Sequence, residues 1–523
     1  MSVSKRANGD YQTPEAFAQA ICHYLHHDRG LRPVAVLEPT CGLGHLLQAS
    51  MIFDAQQYIG IELNPEYCTT CRKALTDPRV TIHNADIFGF STKKLFASAA
   101  LSGTVLILGN PPWGTSATLS ALGATQPPKQ SAASQGLQGL AALTGESNFD
   151  LATAIIMQLI HEYRDSQAYV AMLCKTSVAR KVFQELKRLQ IGFKQCDLLE
   201  FDTHKVFGID AHACLLLIEL APDAASSPDS CTVYDWQPPQ EPQRKYSCGY
   251  LNGRFYSQIP YGDQGAATST AATYEFDGTC CLPWRQGLKH DCAALMELTL
   301  DAKGQFLNGL KEPVQVENEY IFPLVKGSHF KAPIISSFKK HVLVTQRQLR
   351  EDTAHLQQDA PLFWKYLSAP EHYARFAARK SSIYRGAPDF SLFGIGPYTF
   401  APFKVGISGF AKKPLFALLY SPDGNPVMTD DTCYFLSFSS YETAYVTMLL
   451  LNSPQVQAFL PTMTFLDAKR PYSKKVLSRI DLAKVTAQVS FAELQQTESQ
   501  LGLKPVVTNA MFNDFRQWLS SVH

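Results

Sequence analysis

The chain has 523 residues, 46% of them hydrophobic, and a formal net charge of +1. This length allows two to four domains, and the apolar content is ample for sizeable cores. The sequence has no run of 18 apolar residues, which argues against a transmembrane helix. The N-terminus lacks an apolar stretch, so we expect no secretory signal. The 13 scattered cysteines are typical of free thiols in a reducing cytoplasm.

Short apolar strands alternate with helical patterns along the first 220 residues. The predicted strands are 34–38, 58–62, 80–84, 105–109, 168–173, 197–201 and 211–220. The predicted helices are 15–27, 45–53, 149–164 and 179–189. About seven strands with intervening helices predict an α/β domain.

A glycine-rich turn, Pro39 to Gly44, joins the first strand to a helix, as in a nucleotide-binding α/β unit. Glu38 at its mouth would repel a pyrophosphate, but it suits a cationic amino-acid group. Glu62 ends the second strand about 20 residues later, the spacing at which an acidic group reaches a ribose diol. Asp86 follows the third strand and is placed to accept from an adenine amino group. These carboxylates predict a ligand site at one edge of the sheet.

The tetrad Asn110-Pro111-Pro112-Trp113 follows the fourth strand. The Asn110 amide oxygen and the Pro111 carbonyl can accept both protons of an exocyclic amine, while Trp113 offers a face for stacking. The prolines have a fixed φ and no N–H, which stiffens the turn. A strand that ends in a plain Pro-rich turn with a core Trp is the alternative interpretation. The three carboxylates at the same sheet edge favour the site.

Together these motifs resemble class I S-adenosylmethionine-dependent methyltransferases, specifically the gamma class of amino-methylating DNA methyltransferases. The chain is similar to the TaqI-type adenine-N6 enzymes. Further segments that carry the resemblance are Tyr11–Glu15, Lys205–Gly208, Phe393–Phe400 and Phe465–Pro471. The resemblance implies a Rossmann-like, seven-stranded mixed sheet, followed by a C-terminal mixed α/β domain that recognises the DNA target.

The resemblance also implies roles for individual residues. The cofactor contacts are expected from Thr13, Glu38, Pro39, Cys41, Gly42, Gly44, Glu62, Asp86, Ile87 and Asn110. The catalytic set is Asn110, Pro111, Pro112 and Trp113, and a flipped base is expected between Trp113 and Phe207. Ile87 departs from the aromatic residue common at its position, and Cys41 occupies a variable position of the turn. We expect no metal, because Cys68 and Cys71 lack a second pair of ligands.

Composition predicts the domain boundaries. We expect a catalytic domain over 1–220 with a flexible active-site loop at 115–148, a Pro-, Ser- and Gln-rich linker over 221–247, and a recognition domain over 248–523. Residues 1–220 contain 18 Lys and Arg against 19 Asp and Glu, whereas residues 321–480 contain 19 against 10. This basic region predicts DNA contacts. The candidates are Arg379, Lys380, Arg385, Lys404, Lys412, Lys413, Lys469 and Arg470.

The expected activity is methyl transfer from S-adenosylmethionine to N6 of a flipped adenine in double-stranded DNA. The setting would be a restriction-modification or similar phage-defence system, with a nuclease or other subunit encoded separately. Cytosine-N4 methylation is the first alternative. RNA or protein-glutamine methylation and a non-catalytic DNA-specificity subunit are further ones. The intact set of Glu38, Glu62, Asp86 and Asn110 argues against the non-catalytic alternative.

Overall fold

A computed structural model describes residues 11–97, 103–114, 150–222, 227–259, 274–465 and 468–522. The chain divides into two compact units, Met1–Tyr261 and Gly262–His523. The loop predicted at 115–148 lies outside the described residues. Within the described residues, every helix is too short or too polar to cross a membrane.

The first unit contains a ten-stranded sheet with the order β10-β9-β8-β6-β7-β5-β4-β1-β2-β3. Its strands are β1 (Ala35–Glu38), β2 (Gln57–Glu62), β3 (Val80–Asn84), β4 (Val105–Gly109), β5 (Ala168–Lys175), β6 (Phe193–Phe201), β7 (Ala213–Leu220), β8 (Ser230–Asp235), β9 (Gln243–Leu251) and β10 (Arg254–Ile259). The seven strands predicted within 1–220 are confirmed as β1 to β7. Strand β7 runs antiparallel to both β5 and β6, so the sheet is mixed, as expected.

Helices cover both faces of this sheet and bury an apolar cluster on each side. They are α1 (Glu15–His23), α2 (His45–Ala49), α3 (Pro65–Ala74), α4 (Lys93–Ala97), α5 (Leu151–Tyr163), α6 (Thr176–Arg188) and α7 (Thr203–Phe207). A π-helical turn, Tyr24–Asp28, continues α1, and 3-10 turns lie at Ser50–Phe53 and Ile87–Gly89. The predicted helices are therefore confirmed, with ends that differ by a few residues.

The strand order creates a crevice beside β1. Strand β1 pairs in parallel with β2 on one side and with β4 on the other. The chain moves outward from β1 to β3 and then returns to place β4 on the opposite side of β1. Such a reversal leaves a crevice at the carboxyl ends of the two strands, where ligands bind in open α/β sheets.

The prediction of a linker over 221–247 is wrong, because β8 and the start of β9 lie within this segment. Strand β8 pairs in parallel with β6 and antiparallel with β9. Cys231 and Val233 are buried, and Trp236 packs against Phe17 and Tyr24 with ring centroids 5.8 and 5.4 Å apart. The apolar alternation spans too few residues to stand out beside the Pro-rich turn that joins β8 to β9. The sheet therefore has three strands more than the expected seven.

The second unit is a mixed α/β structure, as expected, with two five-stranded sheets. Its strands are β11 (Arg285–Gln286), β12 (Glu297–Leu300), β13 (Phe306–Leu307), β14 (Ile321–Val325), β15 (Ile334–Ile335), β16 (Lys340–Leu343), β17 (Phe403–Ser408), β18 (Ala417–Leu419), β19 (Met428–Thr429) and β20 (Cys433–Phe438). Its helices are α8 (Ala293–Met296), α9 (Leu356–Asp359), α10 (Pro361–Ser368), α11 (Pro370–Ala377), α12 (Tyr441–Leu451), α13 (Pro454–Met463), α14 (Lys474–Leu477), α15 (Leu482–Gln488), α16 (Phe491–Gln500) and α17 (Asn509–Val522).

Candidate active site

A cavity of about 750 Å³ opens beside the carboxyl ends of β1, β2 and β4. This volume lies within the usual range for small-molecule sites. Nine of the ten predicted cofactor residues line it, namely Thr13, Glu38, Pro39, Cys41, Gly42, Glu62, Asp86, Ile87 and Asn110. The sheet edge therefore brings together residues that are up to 97 positions apart in the chain.

The glycine turn depends on left-handed backbone at Gly42 and Gly44, with φ of +52° and +84°. A Cβ atom on Gly44 would lie 2.5 Å from the Sγ atom of Cys71 in α3. Gly44, the tenth predicted residue, is not among the described residues that line the cavity. Gly44 shapes the turn through its close packing on α3.

The Glu62 carboxylate is fixed by two backbone donors. Its Oε2 accepts from Gly42 N at 2.9 Å, and its Oε1 accepts from Asn64 N at 2.7 Å. A carboxylate has about four acceptor sites, more than these two backbone donors occupy. Asp86 faces the same cavity and accepts from Phe88 N at 3.0 Å, which fixes its carboxylate in a similar way.

Glu38 is a buried carboxyl at the mouth of the turn, only 2% exposed. Its Oε2 accepts from Leu47 N at 2.9 Å. Burial raises the pKa of Glu38 well above its usual range, and the nearby charge of Glu62 raises it further. A cation in the cavity would favour the ionised form of Glu38 and lower its pKa again.

The segment Tyr11–Thr13 ties the glycine turn to the tetrad. Gln12 Oε1 accepts from Leu43 N at 3.0 Å, and His45 Nδ1 lies 2.7 Å from the Thr13 carbonyl oxygen. Tyr11, Gln12, Thr40 and His45 all line the cavity but were not predicted as site residues. The motif Tyr11–Glu15 pointed to the first two, whereas the place of His45 depends on a contact across 32 residues.

The Asn110 amide is held by its nitrogen and leaves its oxygen available. Its Nδ2 donates to Tyr11 O at 2.7 Å and to Thr13 Oγ1 at 3.2 Å. The Oδ1 atom is buried and has no hydrogen-bond partner among the described residues. An unpaired buried acceptor costs about 1–3 kcal/mol. Asn110 therefore presents an acceptor that is already desolvated and fixed in orientation, at the wall of the cavity.

Tyr11, Trp113 and Phe207 form an aromatic cluster next to the tetrad. The centroids of the Trp113 and Phe207 rings are 5.4 Å apart, with an angle of 73° between the planes. Tyr11 lies 5.7 Å from Trp113 and 6.2 Å from Phe207. Trp113 and Phe207 meet in edge-to-face contact, which leaves no room for a base between them. The predicted sandwich is therefore not formed as the rings stand.

The family of this chain follows from its similarity to a known protein. No protein-family model matches the chain. The type II methyltransferase M.NspV of Nostoc sp. (strain ATCC 29411 / PCC 7524) is 35% identical over 485 residues, which are 92% of this chain and 97% of that protein. This chain belongs to the type II methyltransferases. The predicted resemblance to gamma-class DNA methyltransferases is confirmed, and the cofactor of this methyltransferase is S-adenosylmethionine.

Solved structures resemble this methyltransferase at low sequence identity. The DrdV–DNA complex aligns over 95% of this chain and 58% of that one, with a TM-score of 0.51 and 9% identity. The methyltransferase subunit of a type I restriction-modification system from Streptococcus thermophilus covers 43% of this chain and 47% of its own, with a TM-score of 0.30 and 15% identity.

The cavity fits S-adenosylmethionine by size and by chemistry. Glu62 offers two fixed acceptors for a diol, and Asp86 offers an acceptor for an exocyclic amine. Glu38 offers a buried carboxyl that a cationic amino group would stabilise in its ionised form. The Thr40 hydroxyl oxygen is a further buried polar atom of the cavity without a hydrogen-bond partner among the described residues.

The predicted DNA contacts of the second unit fall into three groups. Five of these side chains are exposed, namely Lys380, Arg385, Lys412, Lys413 and Lys469. Arg379 stacks on Tyr384 at 3.8 Å and donates to Ser391 O at 2.7 Å. Arg470 lies over the ring of Phe410 at 5.0 Å and pairs with Asp431 at 3.2 Å. These two arginines are partly committed to the fold.

The prediction of Lys404 as a DNA contact is wrong, because this residue is fully buried. It lies on the central strand β17, between β18 and β20. Its Nζ donates to Ala401 O at 2.9 Å, and burial lowers its pKa to about 7. A side chain with no exposed atoms cannot reach a phosphate.

Proposed function

We propose that this methyltransferase modifies N6 of adenine in double-stranded DNA, as the modification enzyme of a restriction-modification system. The observation that carries the proposal is the Asn110 amide. Its nitrogen is anchored by Tyr11 O and Thr13 Oγ1, and its buried oxygen is left without a partner among the described residues. An acceptor held in this way suits the N–H of an exocyclic amine, which becomes more positive during transfer.

The proposed reaction uses the tetrad to make a poor nucleophile reactive. An amine conjugated to a purine ring has its lone pair delocalised into the ring π system, so it is a poor nucleophile. Asn110 Oδ1 and the Pro111 carbonyl would each accept one N–H, which favours a pyramidal nitrogen with its lone pair free. The same two oxygens would stabilise the positive charge that develops on that nitrogen. S-adenosylmethionine supplies the electrophilic methyl group. An early general base is unnecessary, because the protonated product amine is very acidic.

The cofactor contacts proposed for this chain follow from the fixed carboxylates. Glu62 would accept from the ribose diol, Asp86 from the adenine amino group, and Glu38 from the cationic amino group. Backbone donors already hold each of these side chains, so little reorganisation is needed on binding.

Access to the base requires that it leave the DNA stack, at a cost of a few kcal/mol. We infer that the flipped base stacks on Trp113, which offsets about 1–3 kcal/mol of that cost. Phe207 would have to move away from Trp113 first, because the two rings touch at 5.4 Å between centroids.

An open groove in the second unit supports the proposal that DNA is the substrate. The groove has a volume of about 590 Å³, and Lys326, Lys412 and Lys413 line it together with Phe410. Lys412 and Lys413 are exposed. Each phosphate contact lowers the slope of log K against log salt by about 0.9 for duplex DNA. The pair K412Q/K413Q is therefore expected to make that slope less negative by nearly two, whereas K474Q/K475Q, two exposed lysines of α14, serves as the matched control.

Expression in a bacterial host without DNA methylation tests the proposed function. Single-molecule sequencing of the host DNA should then show N6-methyladenine at one recurring short sequence, and none with the Asn110→Ala variant. Modification at N4 of cytosine would replace the proposed target base. Unmodified DNA, from cells that contain folded protein able to bind the cofactor, would contradict the proposal and point to an RNA or protein substrate.

A further inference from the structure

We propose that Lys175 is a positioning residue, which holds the backbone of the tetrad in its reactive place. This inference rests on the proposed function of the tetrad and adds a residue that the sequence motifs do not contain. Lys175 is the last residue of β5, the strand that pairs in parallel with β4, and β4 ends one residue before the tetrad.

A single ammonium group joins two segments at this point. Lys175 Nζ donates to the Trp113 carbonyl oxygen at 3.0 Å and to Asp150 Oδ2 at 3.0 Å. The Lys175 and Asp150 side chains are 32% and 20% exposed. A charged hydrogen bond that is partly shielded from water is stronger than one at an open surface. The pair therefore provides a firm attachment for the end of the tetrad.

The residues next to this pair are also tied down. Asp150 Oδ1 accepts from Ala152 N at 3.1 Å and so caps α5. Leu151 N donates to Gly114 O at 2.9 Å. The start of a 13-residue helix is thereby bonded directly to the residue that follows Trp113. Lys175 binds both partners, so its loss would weaken the tetrad and the helix start together.

Strand β5 holds the side chain of Trp113 as well as its backbone. The indole Nε1 donates to Leu173 O at 3.4 Å, and the carbonyl accepts from Lys175 two residues further along the same strand. The ring is 6% exposed, so its position depends on these bonds and on packing. Lys175 is thus the charged half of a two-point attachment of Trp113 to β5.

The stiffness of the tetrad explains why a bond at Trp113 matters for Pro111. Pro111 and Pro112 have a fixed φ, so a displacement of Trp113 is transmitted along the turn and is not absorbed by it. The Pro111 carbonyl is one of the two proposed acceptors of the amine. A misplacement of about 1 Å at a reacting centre can cost about 10²-fold in rate. Lys175 would therefore act on the transfer step without touching the substrate.

The test compares Lys175→Met with Lys187→Met. Lys187 makes the same kind of contacts, to Ser227 O at 2.9 Å and to Asp229 at 2.8 Å, but at the end of α6. Single-turnover transfer of tritium from labelled S-adenosylmethionine to unmethylated genomic DNA gives the rate, and equilibrium dialysis gives the cofactor Kd. We expect K175M to lower the rate about 10- to 100-fold, as for a lost charged hydrogen bond, with a nearly unchanged Kd. Lys175→Arg should restore part of the rate.

A rate for K175M close to that of wild type, or a loss equal to that of K187M, would overturn the inference. Acrylamide quenching provides a readout that needs no DNA. The fluorescence of each protein minus that of its Trp113→Phe form gives the signal of Trp113. Acrylamide should quench this signal more strongly in K175M than in wild type, and equally in K187M and wild type. Wild-type protein that transfers no label to DNA would refute the proposed function, whereas unchanged Trp113 quenching in K175M would refute the positioning role.

Discussion

The Asn110→Ala substitution probes the proposed chemistry most sharply. The change removes the one buried oxygen at the cavity wall that the tetrad side chains offer, together with the Nδ2 bonds to Tyr11 and Thr13. It adds no charge and leaves Glu38, Glu62 and Asp86 in place. The prediction is therefore a loss of methyl transfer with retention of the cofactor.

The size of the loss follows from the contacts. A hydrogen bond to a charged group contributes about 1.5–3 kcal/mol, and removal of one donor or acceptor aimed at a developing charge typically costs about 10²- to 10³-fold in kcat. We expect a fall of this size in the transfer rate. The cofactor Kd should rise less than about tenfold, because a neutral hydrogen bond contributes about 0.5–1.5 kcal/mol.

Single-turnover transfer and cofactor binding, both measured on folded protein, give the two quantities. Asn452→Ala is the matched control, because Asn452 is also a buried Asn whose Nδ2 donates twice, to Phe416 O at 2.8 Å and Met448 O at 2.9 Å in the second unit. Asn452→Ala should lower stability and leave the rate of the folded molecules unchanged. An Asn110→Ala enzyme with a rate near that of wild type would refute the proposed role.

Three further predictions concern pH and backbone. Glu38 has a raised pKa in the folded state, so the free energy of unfolding should fall as pH rises above about 4.5. Thermal melts of Glu38→Gln should lack this fall, and the variant should bind the cofactor more weakly. The pKa of Lys404 is lowered to about 7, so the free energy of unfolding of the wild type should rise between about pH 7 and pH 10. The variant Lys404→Met should be more stable than the wild type at pH 7. Denaturant titration should show that this difference in the free energy of unfolding shrinks toward pH 10. Gly44→Ala should destabilise the protein and weaken cofactor binding, because its Cβ would meet Cys71 Sγ at 2.5 Å and its φ is +84°. Three results would contradict these expectations. They are the same fall in stability with pH in Glu38→Gln as in wild type, an unchanged melting temperature in Gly44→Ala, and a stability gain for Lys404→Met that does not change with pH.

Local patterns were enough to predict that the carboxylates and the tetrad converge at one edge of the sheet. Glu38, Glu62 and Asp86 each follow a strand, and parallel strands bring their carboxyl ends to one edge whatever the intervening sequence is. The sheet pairing of β1, β2 and β3 realises this convergence. The prediction of the Asn110 tetrad next to these carboxylates relied on the same geometry.

The rest depended on contacts that a local pattern does not contain. Lys404 reads as a surface charge in sequence, but the neighbours of β17 on both sides bury it. Strand β8 is recognisable only through its pairing with β6 and β9. Lys175 and Trp113 are 62 residues apart, so their bond arises from the register of β4 and β5. Tertiary context decides such cases.

Transfer of tritium from labelled S-adenosylmethionine to unmethylated genomic DNA, followed by nucleoside analysis, tests the central proposal most directly. Wild-type protein should place the label in N6-methyladenine, and Asn110→Ala protein should place almost none there. Label in N4-methylcytosine would contradict adenine as the target while keeping the role of the Asn110 amide. DNA that stays unlabelled, in the presence of protein that binds the cofactor, would contradict DNA as the substrate.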